Sequence, residues 1–193
     1  MNRRAFLKQA IVGTVAVATS GSILTAAILC PGNAIAETID QSFWYKDRFL
    51  EIRRADTGEK QLLCFYRNGQ YDAEQYKAAC WLFRDAKDQN SMVSMDVGLF
   101  NLLYGMQEWA RQAGVSNPLI TLNSGHRTAR RNQSIEGAAH NSLHIPGQAA
   151  DITMRGVTIN QIVAMAKHYH VGGVGTYSSF VHIDTGRVRF WRG

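Results

Sequence analysis

Ser142-Leu143-His144-Ile145-Pro146-Gly147-Gln148-Ala149-Ala150-Asp151, answered further along the chain by Phe180-Val181-His182-Ile183-Asp184, decides how this sequence is read. Ala149 to Met154 is an apolar run interrupted by Asp151, and Phe180 to Asp184 is a second short strand-like run. Side chains alternate across a strand, so His182 and Asp184 face the same way and one pocket can receive both. The two segments together offer two imidazoles and one or two carboxylates. Hydrolytic zinc sites use that donor set, three protein ligands with one position left open. His144, Asp151 and His182 are the candidate metal ligands. An isolated H-x6-D carries little information; its pairing with F-V-H-I-D carries much more.

The same residues carry a family likeness. Ser124-Gly125-His126-Arg127-Thr128, the Ser142 to Asp151 segment, Gly172-Gly173-Val174-Gly175-Thr176-Tyr177 and Phe180 to Gly186 resemble the zinc peptidases that cut bacterial cell-wall peptides. That family contains D-alanyl-D-alanine carboxypeptidases and dipeptidases, and the look is most like its murein endopeptidase K branch. The resemblance covers roughly residues 117–192. It implies a Zn2+ site on His144, Asp151 and His182, and substrate binding by Arg127 of the S-G-x-R motif. It further implies an enzyme acting on the stem peptides of peptidoglycan, as an endopeptidase on cross-links. The alternatives are a carboxypeptidase or dipeptidase trimming terminal D-alanine, and a zinc-containing wall-binding protein without turnover.

Two positions depart from the family pattern. Dipeptidase branches carry an acid three residues before the last ligand, where this chain has Ser179. Asp184 is the substitute, either as the base that takes a proton or as a partner that orients His182; the reverse assignment, Asp184 as ligand and His182 as base, is a third option. His126 replaces the usual aromatic of S-G-Y-R, either filling its place or reaching the metal's edge. Arg127 suits a substrate carboxylate or a developing oxyanion, against the alternative of a loop ion pair. Ser142 either contacts substrate or turns the backbone into His144.

Outward from this centre the chain reads as α+β, a small antiparallel sheet carrying the zinc site and packed with N-terminal helices. Phe49 to Ala55 and Gln61 to Tyr66 flank a turn and suggest a hairpin. Asp72 opens a helix to about Ala86. Asp96 caps a second, with Leu99, Leu102, Leu103, Met106 and Trp109 on one face and Gly114 at its end. Leu119 to Asn123 is a strand leading to Arg127, and Thr158 to His168 a helix. Residues 37–47 show little pattern. Arg130 and Arg131 read as solvated loop residues, and His140, His168 and His170 as surface or packing residues.

The N-terminus reads differently. Asn2-Arg3-Arg4-Ala5-Phe6-Leu7-Lys8, an apolar run from Ala10 to Leu29, and Ala34-Ile35-Ala36 together describe a twin-arginine signal peptide over residues 1–36. Cleavage near Ala36 would leave 37–193 as a single periplasmic domain with no stable membrane anchor, delivered by the twin-arginine export machinery. The other reading of the apolar run is a retained anchor. Cleavage lowers the net charge from +6 to +3, because Arg3, Arg4 and Lys8 leave and no acid goes with them. That mild balance, with no basic stripe interleaved by aromatics, argues against nucleic acid. Of three cysteines, Cys64 and Cys80 remain, as a disulfide or as two buried thiols.

Overall fold

The computed structural model describes residues 41–193. The signal-peptide reading of residues 1–36 therefore lies outside the described residues. A 3-10 turn, Gln41–Tyr45, leads into strands β1 (Arg48–Arg54), β2 (Lys60–Arg67) and β3 (Gln70–Tyr71). Helices α1 (Ala73–Leu82) and α2 (Val97–Gln112) follow, then β4 (Ile120–Ser124) and the short α3 (Ala129–Gln133). The remainder is β5 (Ala149–Met154), α4 (Ile159–Tyr169), β6 (Gly173–Thr176), β7 (Val181–Asp184) and β8 (Arg189–Arg192).

The strands form one sheet in the order β3-β2-β1-β4-β5-β7-β6-β8. The expectation of an α+β fold holds, but that of a small antiparallel sheet needs correction: the sheet has eight strands and is mixed. β1 runs parallel to β4, and β6 parallel to β8. Parallel neighbours need a crossover rather than a tight turn, and residues 55–119 and 177–188 supply those connections.

Helix starts are set by side-chain caps. Asp72 accepts from the Gln75 amide, Asp96 from Gly98, and Thr158 forms a reciprocal box with Gln161. Gly114, at φ +91°, takes the left-handed conformation just past α2. The first helix stops at Leu82, short of the expected Ala86, because the chain turns into a short bridge between Asp85 and Ser91.

Alternation along β5 and β7 separates core from site. Ala150, Ile152 and Met154 of β5, with Val181 and Ile183 of β7, join the hydrophobic core together with residues of α2 and α4. Asp151, His182 and Asp184 occupy the intervening positions and so face away from those helices. The core also takes in Phe43 and Trp44, in a segment whose sequence showed little pattern. Phe43 stacks on Tyr104, with ring centroids 5.2 Å apart, and Arg48 holds Trp44. Its fully buried guanidinium donates to the Trp44 carbonyl and to Asn101 Oδ1, and stacks 4.0 Å from the Tyr66 ring centroid. Cys64 and Cys80 are both buried free thiols, which decides against a disulfide.

Candidate metal centre

β5 and β7 are hydrogen-bonded neighbours, in a register that sets Asp151 directly opposite His182. His144 arrives from the loop preceding β5. That loop is held by backbone bonds from the Gln148 amide to the Leu143 carbonyl and from the Gly147 amide to His144. Three donor atoms meet as a result. Asp151 Oδ1 lies 2.8 Å from His182 Nδ1 and 3.2 Å from His144 Nε2, and the two imidazole nitrogens are 3.1 Å apart. Donors about 2.0–2.1 Å from a tetrahedral zinc lie roughly 3.3 Å from one another. All three side chains are buried, and together they form a group that could hold a metal ion.

The outer nitrogens show which lone pairs face inward. His144 Nδ1 is 2.6 Å from the Gly125 carbonyl oxygen, which can only accept, so Nδ1 carries the proton and Nε2 presents its lone pair. His182 Nε2 lies 3.2 Å from Asp184 Oδ2 and donates to it, leaving Nδ1 for the centre. Two lone pairs and a carboxylate oxygen thus converge with no protein donor between them. Such a group calls for a positive charge, and its donor chemistry and spacing fit a divalent metal.

The titration behaviour of the side chains agrees. Burial disfavours the charged form of His144 and pulls its pKa down, against the pull of Asp151. His182 is buried too, but its bonds to Asp151 and Asp184 outweigh desolvation and raise it. Burial pushes the Asp151 carboxyl up, and the bonds from His144 and His182 with the Arg127 charge overcome that, holding it far below the usual range.

Arg127 stands at the edge of the centre. Its Nη2 forms an ion pair with Asp151 Oδ2, and its Nε donates to Ser124 Oγ at 2.7 Å. The loop that carries it needs glycine at 125: a Cβ there would lie 2.4 Å from the Phe83 carbonyl oxygen. Thr128 caps α3, and its amide donates to Asp85. Arg131 and Arg130 form ion pairs with Asp85 and Asp88. Arg131, paired with the fully buried Asp85, is therefore an anchor of the loop, a correction to its solvated-loop reading, whereas Arg130 is 75% exposed and keeps that reading.

His126 is buried, with Nδ1 3.2 Å from the His144 carbonyl oxygen. It supports the His144 backbone and is not among the three converging donors. Ser142 Oγ accepts from the His144 amide at 3.4 Å, while the Ile145 amide bonds the Ser142 carbonyl. Asp184 lies behind His182, fully buried, and receives the Gly173 and Gly186 amides and both terminal nitrogens of Arg189. Ser179 is exposed.

A cleft of about 530 Å³ opens over the three donors. Arg127, Ser142, Tyr177, Phe180, Arg189 and Trp191 are among the residues lining it. Tyr177 and Phe180 stood in the sequence only as members of the quoted motifs, with no role of their own, and Arg189 and Trp191 were not singled out. Trp191 packs with its ring centroid 5.2 Å from that of His182 and donates from Nε1 to the Tyr177 hydroxyl at 3.2 Å. The R-x-W spacing just after H-I-D was the one available signal, since period two places Arg189 and Trp191 on one face of a strand.

The model of the family Peptidase_M15_2, described as peptidoglycan L,D-endopeptidase MepK, matches residues 43–191. The chain belongs to this family. Among its relatives is the probable peptidoglycan L,D-endopeptidase MepK of Haemophilus influenzae, 37% identical over 155 residues, covering 77% of this chain and 81% of that protein. The peptidoglycan L,D-endopeptidase MepK of Escherichia coli K12 is 35% identical over 152 residues, covering 76% of this chain and 81% of that protein. The Shigella flexneri protein of the same name aligns to the same extent. The match to the family spans seven of the eight strands whole and reaches into β8, taking in His144, Asp151 and His182.

Proposed function

We infer that this chain is a peptidoglycan L,D-endopeptidase, a metal-dependent hydrolase that cuts peptide bonds in murein cross-links. Family membership supports the substrate class. The observation that carries the chemistry is the convergence of His144 Nε2, Asp151 Oδ1 and His182 Nδ1 on the floor of an open cleft. Zinc is the ion this donor set suits best; when bound, it would polarise the scissile carbonyl and activate water.

The protein's own residues then have distinct tasks. Arg127 occupies Asp151 Oδ2 and so turns Oδ1 towards the histidines. Its Nη1 makes no hydrogen bond among the described residues and is free for a substrate oxygen, where a guanidinium can hold a carboxylate or stabilise developing negative charge. Ser142 shapes the turn into His144 and borders the cleft beside it. Tyr177, Phe180 and Trp191 make an apolar wall against which a stem peptide can lie.

For Asp184 the orienting role is the better supported one. Its carboxylate is fully buried behind His182 and is already engaged by four residues, so a proton from the cleft has no direct path to it. Export to the periplasm through the twin-arginine route, with cleavage near Ala36 and a working unit of residues 37–193, completes the reading. Among the described residues no helix is long and apolar enough to cross a membrane.

The decisive experiment incubates the purified protein with intact sacculi and with isolated cross-linked muropeptides, with and without a chelator. The expected result is a fall in cross-linked species, with no release of terminal D-alanine, abolished by chelation and restored by zinc. Release of D-alanine alone would overturn the endopeptidase reading. Binding to sacculi without cleavage would make the chain a wall-binding protein.

A further inference from the structure

The residues closest to the metal centre leave Arg189 unexplained. We propose that Arg189 is a positioning residue for His182: it fixes the plane of the Asp184 carboxylate, and through it the imidazole that faces the metal. The inference rests on the metal-centre reading above.

Five contacts reach Asp184, and they are not equivalent. The Gly173 and Gly186 amides, at 2.9 and 2.8 Å, both end on Oδ1, and His182 Nε2 reaches Oδ2 at 3.2 Å. Arg189 alone touches both oxygens, with Nη2 2.8 Å from Oδ2 and Nη1 3.2 Å from Oδ1. Donors to a single oxygen fix its position but leave the carboxylate free to rotate about it. A planar two-point donor removes that freedom. Oδ2 is thereby aimed at Nε2, and the proton on Nε2 keeps the Nδ1 lone pair directed at the centre.

The surroundings are shaped to keep this pair in place. A Cβ at residue 173 would fall 2.4 Å from Asp184 Oδ2 and 2.5 Å from Arg189 Nη1, so a side chain there would displace the pair. On its other side the guanidinium lies 4.9 Å from the Trp191 ring centroid. An exposed ion pair contributes little, but here the acid is wholly buried and the Arg189 side chain is only 33% exposed. Arg189 also lines the cleft, so a direct contact with substrate is the rival role.

Zinc affinity and steady-state kinetics on the same preparations separate the two. Zinc is measured by competition with a chromophoric chelator, and kcat and KM on a cross-linked muropeptide at limiting and saturating zinc. Arg189→Gln should weaken zinc about tenfold, the lower end of what loss of an outer partner costs. It should lower activity at limiting zinc and return kcat to near wild type at saturating zinc, with KM within about twofold. Arg189→Lys, which keeps the charge but not the two-point plane, should fall between wild type and Arg189→Gln, and it carries the test if Arg189→Gln does not fold. Wild-type zinc affinity with a raised KM would overturn the proposal in favour of substrate contact. Wild-type affinity and kinetics together would reduce Arg189 to a surface ion pair. If the wild-type protein itself binds no zinc, the metal-centre reading fails instead.

Discussion

Arg127 holds the one carboxylate oxygen of Asp151 that the two histidines leave untouched. A motif arginine assigned to substrate is therefore also part of the scaffold of the centre. Burial lowers its pKa, and the neighbouring Asp151 opposes that shift. The same guanidinium bridges Asp151 and Ser124, a geometry lysine cannot copy. Arg127→Lys should cost roughly ten- to a hundredfold in zinc affinity, as outer partners of a ligand do. Its turnover should stay below wild type even at saturating zinc. Full recovery of kcat and KM with zinc would confine Arg127 to orienting Asp151 and remove it from substrate binding.

Removing a ligand should act differently from removing a support. His144→Ala, Asp151→Ala and His182→Ala should each abolish tight binding of about one zinc per chain, consistent with a three-ligand open site. Their far-UV circular dichroism should stay unchanged, because the helices draw their caps from Asp72, Asp96 and Thr158. Stoichiometric zinc at wild-type affinity in any one of them would exclude that residue from the site.

Asp184→Asn tests the orienting role directly. Zinc affinity should drop by about ten- to a hundredfold, with activity recovering when zinc is supplied in excess. A variant that keeps its zinc yet loses roughly two to four orders of magnitude in rate would instead make Asp184 the general base.

The metal-free protein should carry an acid-sensitive term from the same residue. Burial raises the Asp184 carboxyl, but His182, the Gly173 amide and Arg189 outweigh it and hold its pKa at about 2, below the ordinary aspartate range. A depressed carboxyl contributes stability that is present above its unfolded pKa and is lost as pH falls through the folded one. Denaturant midpoints of the metal-free protein should decline between about pH 4 and about 2, and the decline should be shallower in Asp184→Asn. An identical slope in both proteins would show that Asp184 contributes nothing to acid stability.

What the sequence disclosed and what it withheld follows the range of the interactions involved. Helix starts were legible because Asp96 and Thr158 cap within their own turn. β5 was legible because Asp151 interrupts an apolar run of strand length. The parallel pairing of β1 with β4 was not, since Ile52 and Ile120 meet across a long crossover that leaves no local pattern. Arg131 looked solvated because its acid, Asp85, is 46 residues away. Phe43 and Trp44 showed little pattern because their partners are distant: Phe43 stacks on Tyr104, and Trp44 is held by Arg48, a buried cation among aromatic rings. Asp184 could be placed beside His182 by period two, but its burial and its bond to Arg189 depend on the packing of β6 and β8, which lies beyond any spacing argument.

The facing of Asp151 and His182 across β5 and β7 has a consequence for how the chain proofreads itself. A slip of one residue between these strands would swap the faces of every side chain on β7, burying His182 among the core residues and turning Ile183 towards the cleft. No such sheet could assemble three donors. A metal that binds only the correctly paired sheet favours that register by mass action, so the ion would serve as an inspector of strand alignment as well as an instrument of hydrolysis.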